Sequence, residues 1–149
     1  MKVRLDNVVR QYIKERDGQK CITCGCHKDS TTSQTLDWSH KISRSNLFLR
    51  WDERNSIAQC RQCHNLWSAG INHPLNTAIN NMWSQGTAER LEHFARRNPT
   101  IKSTLLDDVE YRMKVEKFYK LKLKALKEGT MTPQQAKENI WCELVNLES

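Results

Sequence analysis

Two Cys-x-x-Cys pairs, Cys21 with Cys24 and Cys60 with Cys63, are the residues of this sequence whose type and spacing most clearly suit chemistry. A two-residue spacer lets both sulfurs of a pair face one ion, and two such knuckles supply the four soft ligands of a tetrahedral zinc site. The stretch from Cys24 to Cys60 exceeds the roughly 15–20 residues of a simple zinc ribbon, so something is inserted between the knuckles. A structural zinc there would join the two ends of residues 25–59 and stabilise a domain with little core of its own. Two unrelated thiol pairs, or a redox pair, are the alternative. Cys26 and His27 lie near enough to offer substitute ligands but read as bystanders, and Cys142 reads as a buried helix residue.

Within and just after the inserted segment stand His40, Asn55 and His64, with Asn55 five residues before Cys60 and His64 directly after Cys63. The order His, Asn, Cys-x-x-Cys-His resembles the four-cysteine branch of the HNH, or ββα-metal, nucleases. A closer resemblance takes in Tyr12-Ile-Lys-Glu-Arg-Asp17 ahead of Cys21-Ile-Thr-Cys-Gly25, then Asp37-Trp-Ser-His40, Leu49-Arg-Trp-Asp-Glu-Arg-Asn55, Gln59-Cys60, Ser68-Ala-Gly70 and a Lys-rich helix near the end. It is to the phage Rap/NinG recombination nucleases, which act on branched DNA intermediates such as Holliday junctions and D-loops.

That resemblance implies metal-dependent hydrolysis of DNA phosphodiester bonds, leaving 5′ phosphate and 3′ hydroxyl ends. The reaction needs a water deprotonated near neutral pH, for which a His with an unperturbed pKa of about 6.5 is the natural general base, and His40 takes that role. A divalent ion on a non-bridging oxygen of the scissile phosphate would offset the charge that develops as the bond breaks. The resemblance places His64 on that ion and gives Asn55 the job of hydrogen-bonding the loop backbone so that His40 is correctly aimed.

Many HNH sites carry an acidic ligand directly before the base, and here that place is Ser39. Asp37 matches the Rap/NinG pattern better and is read as the second ligand, on the strand face opposite His40 and about 6–7 Å along from Ser39. Ser68 and His73 are further candidates. One imidazole and one carboxylate suit Mg²⁺, Mn²⁺ or Zn²⁺, with Mg²⁺ or Mn²⁺ taken as the catalytic ion beside the structural Zn²⁺. His64 as another candidate zinc ligand, and His40 as a packing residue of an inactive relative, are the alternatives.

The elements that must position these groups follow from periodicity. Leu5, Val8, Val9, Tyr12 and Ile13 recur at helical spacing until Asp17-Gly18. Residues 20–34, rich in Cys, Gly, Ser and Thr, suit a metal-tied turn and polar loop; residues 35–40 alternate as a short strand, 55–59 form a second, and 64–68 run as a helix until Gly70. Pro74 opens a helix through Trp83, Thr87 caps Ala88 to Arg97, and Asn98-Pro99 stops it. Thr104 to Asp107 reads as a capping box opening a long helix to about Lys127, and Thr132-Pro133-Gln134-Gln135 opens a last one. In the long helix Tyr111, Val115, Phe118, Leu121 and Ala125 form an apolar stripe beside a row of Lys114, Lys117, Lys120, Lys124 and Lys127. The fold class is α+β, mostly α. By the resemblance it is a small zinc-stabilised ββα-metal core with an N-terminal helix (residues 1–98) and a helical extension (99–149) for DNA contact or dimerisation, hinged over Pro99 to Thr104.

Composition bounds the partners. The chain has 149 residues, with 24 Lys plus Arg against 17 Asp plus Glu and a net charge of +7, which favours a polyanionic partner, DNA first. Four thiolates on one Zn²⁺ would lower that by two, leaving Lys and Arg placement decisive. Lys41, Arg44, Arg50, Arg54 and Arg61 cluster around the motif as a phosphate clamp, with Lys117, Lys120 and Lys124 as a second backbone contact or simply a solvated helix face. Trp38, Trp51, Trp67 and Trp83 could stack on unpaired bases, though core packing is the stronger reading for Trp38 and Trp67. No apolar run is long enough to span a membrane and Met1 to Asp6 lacks a secretory stretch, so a soluble cytoplasmic protein is expected, in the host cytoplasm if phage-encoded. A junction resolvase cuts two strands symmetrically, which would require a two-fold dimer. Competing functions are a general or site-specific nicking HNH endonuclease, a non-catalytic zinc-containing DNA-binding or adaptor module, and a helical interaction protein organised by its zinc knuckles.

Overall fold

The computed structural model describes residues 2–27, 36–99, 108–141 and 145–147. The capping box at Thr104 to Asp107, most of the expected hinge, Thr35 and Cys142 lie outside the described residues. Helix α1 (Lys2–Arg16) turns Leu5, Val9, Tyr12 and Ile13 fully inward. It ends where Gly18 and Gln19 take positive φ and their amides bond back to the carbonyls of Glu15 and Lys14.

Strand β1 (Asp37–His40) pairs antiparallel with β2 (Ser56–Gln59), placing Trp38 opposite Ala58 and His40 opposite Ser56. A 3₁₀ turn, Glu53–Asn55, leads into β2, so Asn55 belongs to that turn rather than to the strand. Helix α2 (Arg61–Ser68) begins three residues earlier than expected, directly at the second knuckle with Cys60 as its N-cap. Two strands followed by a helix, with mostly helical surroundings, make the described chain α+β and mainly α.

Helix α3 (His73–Met82) carries Pro74 in its first turn, and α4 (Thr87–Arg97) follows after Gly86. Thr87 is not the cap of α4. Gly86, at φ 86°, occupies that position, and the exposed amide of Ala88 is satisfied from α3, whose Asn80 side chain accepts at 2.8 Å. Helix α5 (Val109–Glu128) starts at an Asp108 cap and stops at Gly129, and α6 (Pro133–Glu138) opens with a Thr132/Gln135 capping box.

The apolar stripe expected on α5 is rotated. Val115, Tyr119 and Leu123 are buried with Phe118 beside them, whereas Leu121 is 59% exposed. Contact with α1 decides this: the Tyr12 and Tyr119 rings meet at 5.2 Å, and that face includes a lysine, Lys122. Lys122 is tolerated because its Nζ donates to Glu53 Oε2 at 2.8 Å and to the carbonyls of Ala136 at 2.6 Å and Asn139 at 2.5 Å. Burial pushes the Glu53 carboxyl up and the Lys122 amine down from their usual values, with each partner opposing the effect on the other.

One buried cluster joins α1, Trp38, Trp51, α5 and Ala136, and a second joins Leu49 and Ile57 to α3, α4, Val145 and Leu147. The stretches on either side of residue 99 therefore share their cores. No described helix is long and apolar enough to cross a membrane.

Candidate metal centre and catalytic cleft

The two knuckles converge. The Sγ atoms of Cys21, Cys24, Cys60 and Cys63 all lie within 4.8 Å of one another, and Cys24 and Cys60 are 3.8 Å apart. Bonds of about 2.3 Å to a tetrahedral Zn²⁺ require sulfur separations of about 3.8 Å, so this donor set fits such an ion. Local backbone builds the site: Gly25 sits at φ 78° and its amide reaches the Cys21 carbonyl, the Cys24 amide points at Cys21 Sγ at 3.5 Å, and the second pair is held by the first turn of α2. Leu36 and Ala58 seal the buried side of the cluster. Cys26 is exposed. Among the described residues no other group of three or more His, Cys, Asp or Glu side chains is close enough to hold a metal.

Beside this cluster a cleft of about 530 Å³ contains Asp37, His40 and His64. His40 ends β1, with its carbonyl accepting from Trp67 Nε1 of α2 at 3.1 Å and its ring packed 4.2 Å from the Trp38 ring. Its Nε2 lies 3.1 Å from the carbonyl oxygen of Arg50. Only a protonated Nε2 can donate to a carbonyl, so the neutral ring presents Nδ1 as its lone-pair nitrogen. Burial lowers the imidazole pKa to about 4, and the nearby Arg44 and Arg50 charges add to that effect against the Arg50 carbonyl bond and Asp6, which favour the charged form.

Asn55 is fully buried and pins the loop that supplies this carbonyl. Its Oδ1 accepts from the Ile42 amide at 2.7 Å, and its Nδ2 donates to the carbonyls of Ile42 at 3.0 Å and Leu49 at 3.1 Å. Asn55 is held in turn from α1: Arg16 donates to the carbonyls of Glu53 at 2.8 Å and Ser56 at 2.9 Å, and Asp17 accepts from the Ala58 amide at 2.8 Å.

His64 and Asp37 meet directly, Nδ1 to Oδ2 at 2.8 Å, while the other Asp37 oxygen is 3.1 Å from Arg61. That separation is a direct hydrogen bond between imidazole and carboxylate, one nitrogen and one oxygen donor side by side at the cleft. Strand alternation would keep Asp37 and His40 on opposite faces, yet both line this cleft. Ser39 is fully buried opposite Ile57. Ser68 bonds back to the His64 carbonyl, and His73 lines a separate cavity with Thr23 and Asn81, so neither joins Asp37 and His64.

The basic residues divide sharply. Arg44 and Arg61 are exposed at the cleft. Lys41, Arg50 and Arg54 are turned inward and do not form the phosphate clamp expected of them. Lys41 pairs with Glu92 under the Trp67 ring, Arg50 with Asp6 at 2.6 Å, and Arg54 with Asp52 at 2.7 Å, because desolvated cations so close to the core need carboxylate partners. Lys117, Lys120 and Lys124 are exposed on α5 but line no part of the cleft, and Lys120 and Lys124 pair with Glu116 and Glu128.

Arg10 and Lys14 of α1, which sequence reasoning missed, do line it. Their i, i+4 spacing beside the buried Val9 and Ile13 was the available signal, but nothing local tells which element that flank faces. Trp38 and Trp51 are buried in the α1/α5 cluster, Trp67 braces His40, and Trp83 lies under Arg16, so all four do structural work. No family model, no curated protein and no solved structure matches this chain.

Proposed function

We propose that the protein is a metal-dependent DNA endonuclease of the HNH type, in which the four cysteines hold a structural Zn²⁺ and His40 is the general base of phosphodiester hydrolysis. The observation that carries this reading is the convergence of His40, aimed by the Arg50 carbonyl, with the Asp37–His64 pair in one cleft rimmed by cations. The order β1, β2, α2 with the knuckles at its two ends supports it, as does the loop-bracing role of Asn55.

His40 Nδ1 accepts a proton from the attacking water, while Nε2 keeps its own proton, donated in a hydrogen bond to the Arg50 carbonyl, which fixes the tautomer. A ring with a pKa near 4 is neutral at pH 7 but a weak base; a phosphate seated in the cleft adds negative charge beside it and raises its affinity for the proton. Asp37 and His64 would hold the divalent ion, Mg²⁺ or Mn²⁺, which supplies Lewis-acid stabilisation of the developing charge. Arg44 and Arg61 bind phosphate oxygens at the rim. A preference for branched recombination intermediates belongs to the resemblance to Rap/NinG nucleases and is proposed with it.

The test is cleavage of four-way junctions, flaps and linear duplex of shared sequence with Mg²⁺ or Mn²⁺. His40→Ala should abolish strand breaks while zinc content and DNA binding stay at wild-type levels. Undiminished cleavage by that variant would overturn the mechanism, and equal rates on all three substrates would remove the branch preference.

A further inference from the structure

We propose that α1 is the substrate-gripping wall of the cleft, with Arg10 and Lys14 binding the phosphate backbone of the nucleic-acid strand on which His40 acts; this rests on the reading of the cleft as a phosphodiester site. One turn apart on one helix face, the two side chains are separated by a rise of about 6 Å, which spreads their charge along a strand rather than concentrating it on one phosphate.

Arg10 is placed before any ligand arrives. Its Nη1 donates to Asn7 Oδ1 at 2.6 Å and its guanidinium stands 5.9 Å from the centroid of the Trp38 ring, the same ring that packs 4.2 Å from His40. One indole therefore sets the separation between the cation that holds the strand and the imidazole that acts on it. The helix itself is fixed by its buried face and by the Arg16 and Asp17 bonds to β2, so the grip and the base belong to one packed unit.

Charge points to a polyanion. Among the described residues lining the cleft, four cationic side chains face a single carboxylate, Asp37. Arg10 and Lys14 stand on the α1 wall and Arg61 on the α2 wall, with Arg44 beside them. Cations on both walls fit a chain of phosphates passing between α1 and α2 better than one isolated anion.

The experiment is fluorescence anisotropy of the full-length zinc-loaded protein with a labelled DNA duplex and its single strand, over a range of salt and without added divalent ion. The Arg10→Ala/Lys14→Ala double variant should bind the duplex at least tenfold more weakly at low salt and reduce the slope of log K against log salt by about 1.8, two phosphate contacts at about 0.9 each. Arg10→Lys should keep the slope and lose part of the affinity, because charge survives while the planar fork is lost. Lys137→Ala, on α6, should change neither. Unchanged zinc content and an unchanged His40 NMR titration separate lost grip from a damaged fold. Wild-type affinity and slope in the double variant, or a wild-type protein that binds no DNA, would overturn the proposal. A reduced slope in a protein that cuts no DNA with any divalent ion would refute hydrolysis and leave the grip standing; intact cleavage with an unchanged slope would do the reverse.

Discussion

His40 should make the folded protein acid-sensitive by a calculable amount. Its pKa of about 4 in the folded chain against about 6.5 unfolded corresponds to about 3 kcal/mol of preference for the neutral ring. The sign follows from proton uptake. Between those values the unfolded chain binds a proton that the folded chain refuses, so the stabilisation is complete above about pH 6.5 and is lost as pH falls towards 4. Gln at position 40 can still donate to the Arg50 carbonyl but does not titrate. Urea denaturation at neutral pH and at about pH 5.5, above the range in which acid strips a thiolate-bound metal, should therefore show wild type losing about 1.4 kcal/mol more than His40→Gln. NMR titration of the ring should give a midpoint well below 6.5. Equal acid sensitivity of the two proteins, or a midpoint near 6.5, would refute the argument that burial keeps this base neutral.

Asn55→Ala removes three hydrogen bonds, one of them buried and two partly buried, a loss of about 2–4 kcal/mol by urea denaturation, and by loosening the loop that carries Arg50 it should move the His40 midpoint upward. Cys60→Ser should abolish stoichiometric zinc in metal analysis and the cooperative thermal transition seen by circular dichroism, because Cys60 belongs both to the thiol cluster and to the core beneath it. Lys122→Met leaves Glu53 buried without its cation and should destabilise by about 3–5 kcal/mol, whereas Lys122→Met with Glu53→Gln should recover more than half of that, measured in the same denaturation assay. Losses of equal size in the single and double variants would show that the pair stabilises by its own attraction rather than by avoiding an uncompensated charge.

Features legible in the sequence are those encoded within a few residues. The cysteine spacings bring each pair of sulfurs to one side of its knuckle, and the four then cluster. The 5, 9, 12, 13 pattern gives α1 its buried face, and Thr132 with Gln135 makes the capping box of α6. Within each knuckle, along the α1 face and in the capping box, successive residues are about a turn of chain apart, so local geometry sets which groups point the same way.

Tertiary structure decided everything that depends on a distant partner. Lys41, Arg50 and Lys122 carry the same charge as Arg44 and Arg61, but Glu92, Asp6 and Glu53 draw the first three inward. The face that α5 buries was set by α1 rather than by its own apolar periodicity, and only the folded chain shows Asp37 and His40 lining one cleft. Arg10 and Lys14 became cleft residues through the docking of α1 beside Trp38. Spacing along the chain fixes which side chains share a face; burial and charge pairing, whose energies depend on groups tens of residues away, fix what that face meets.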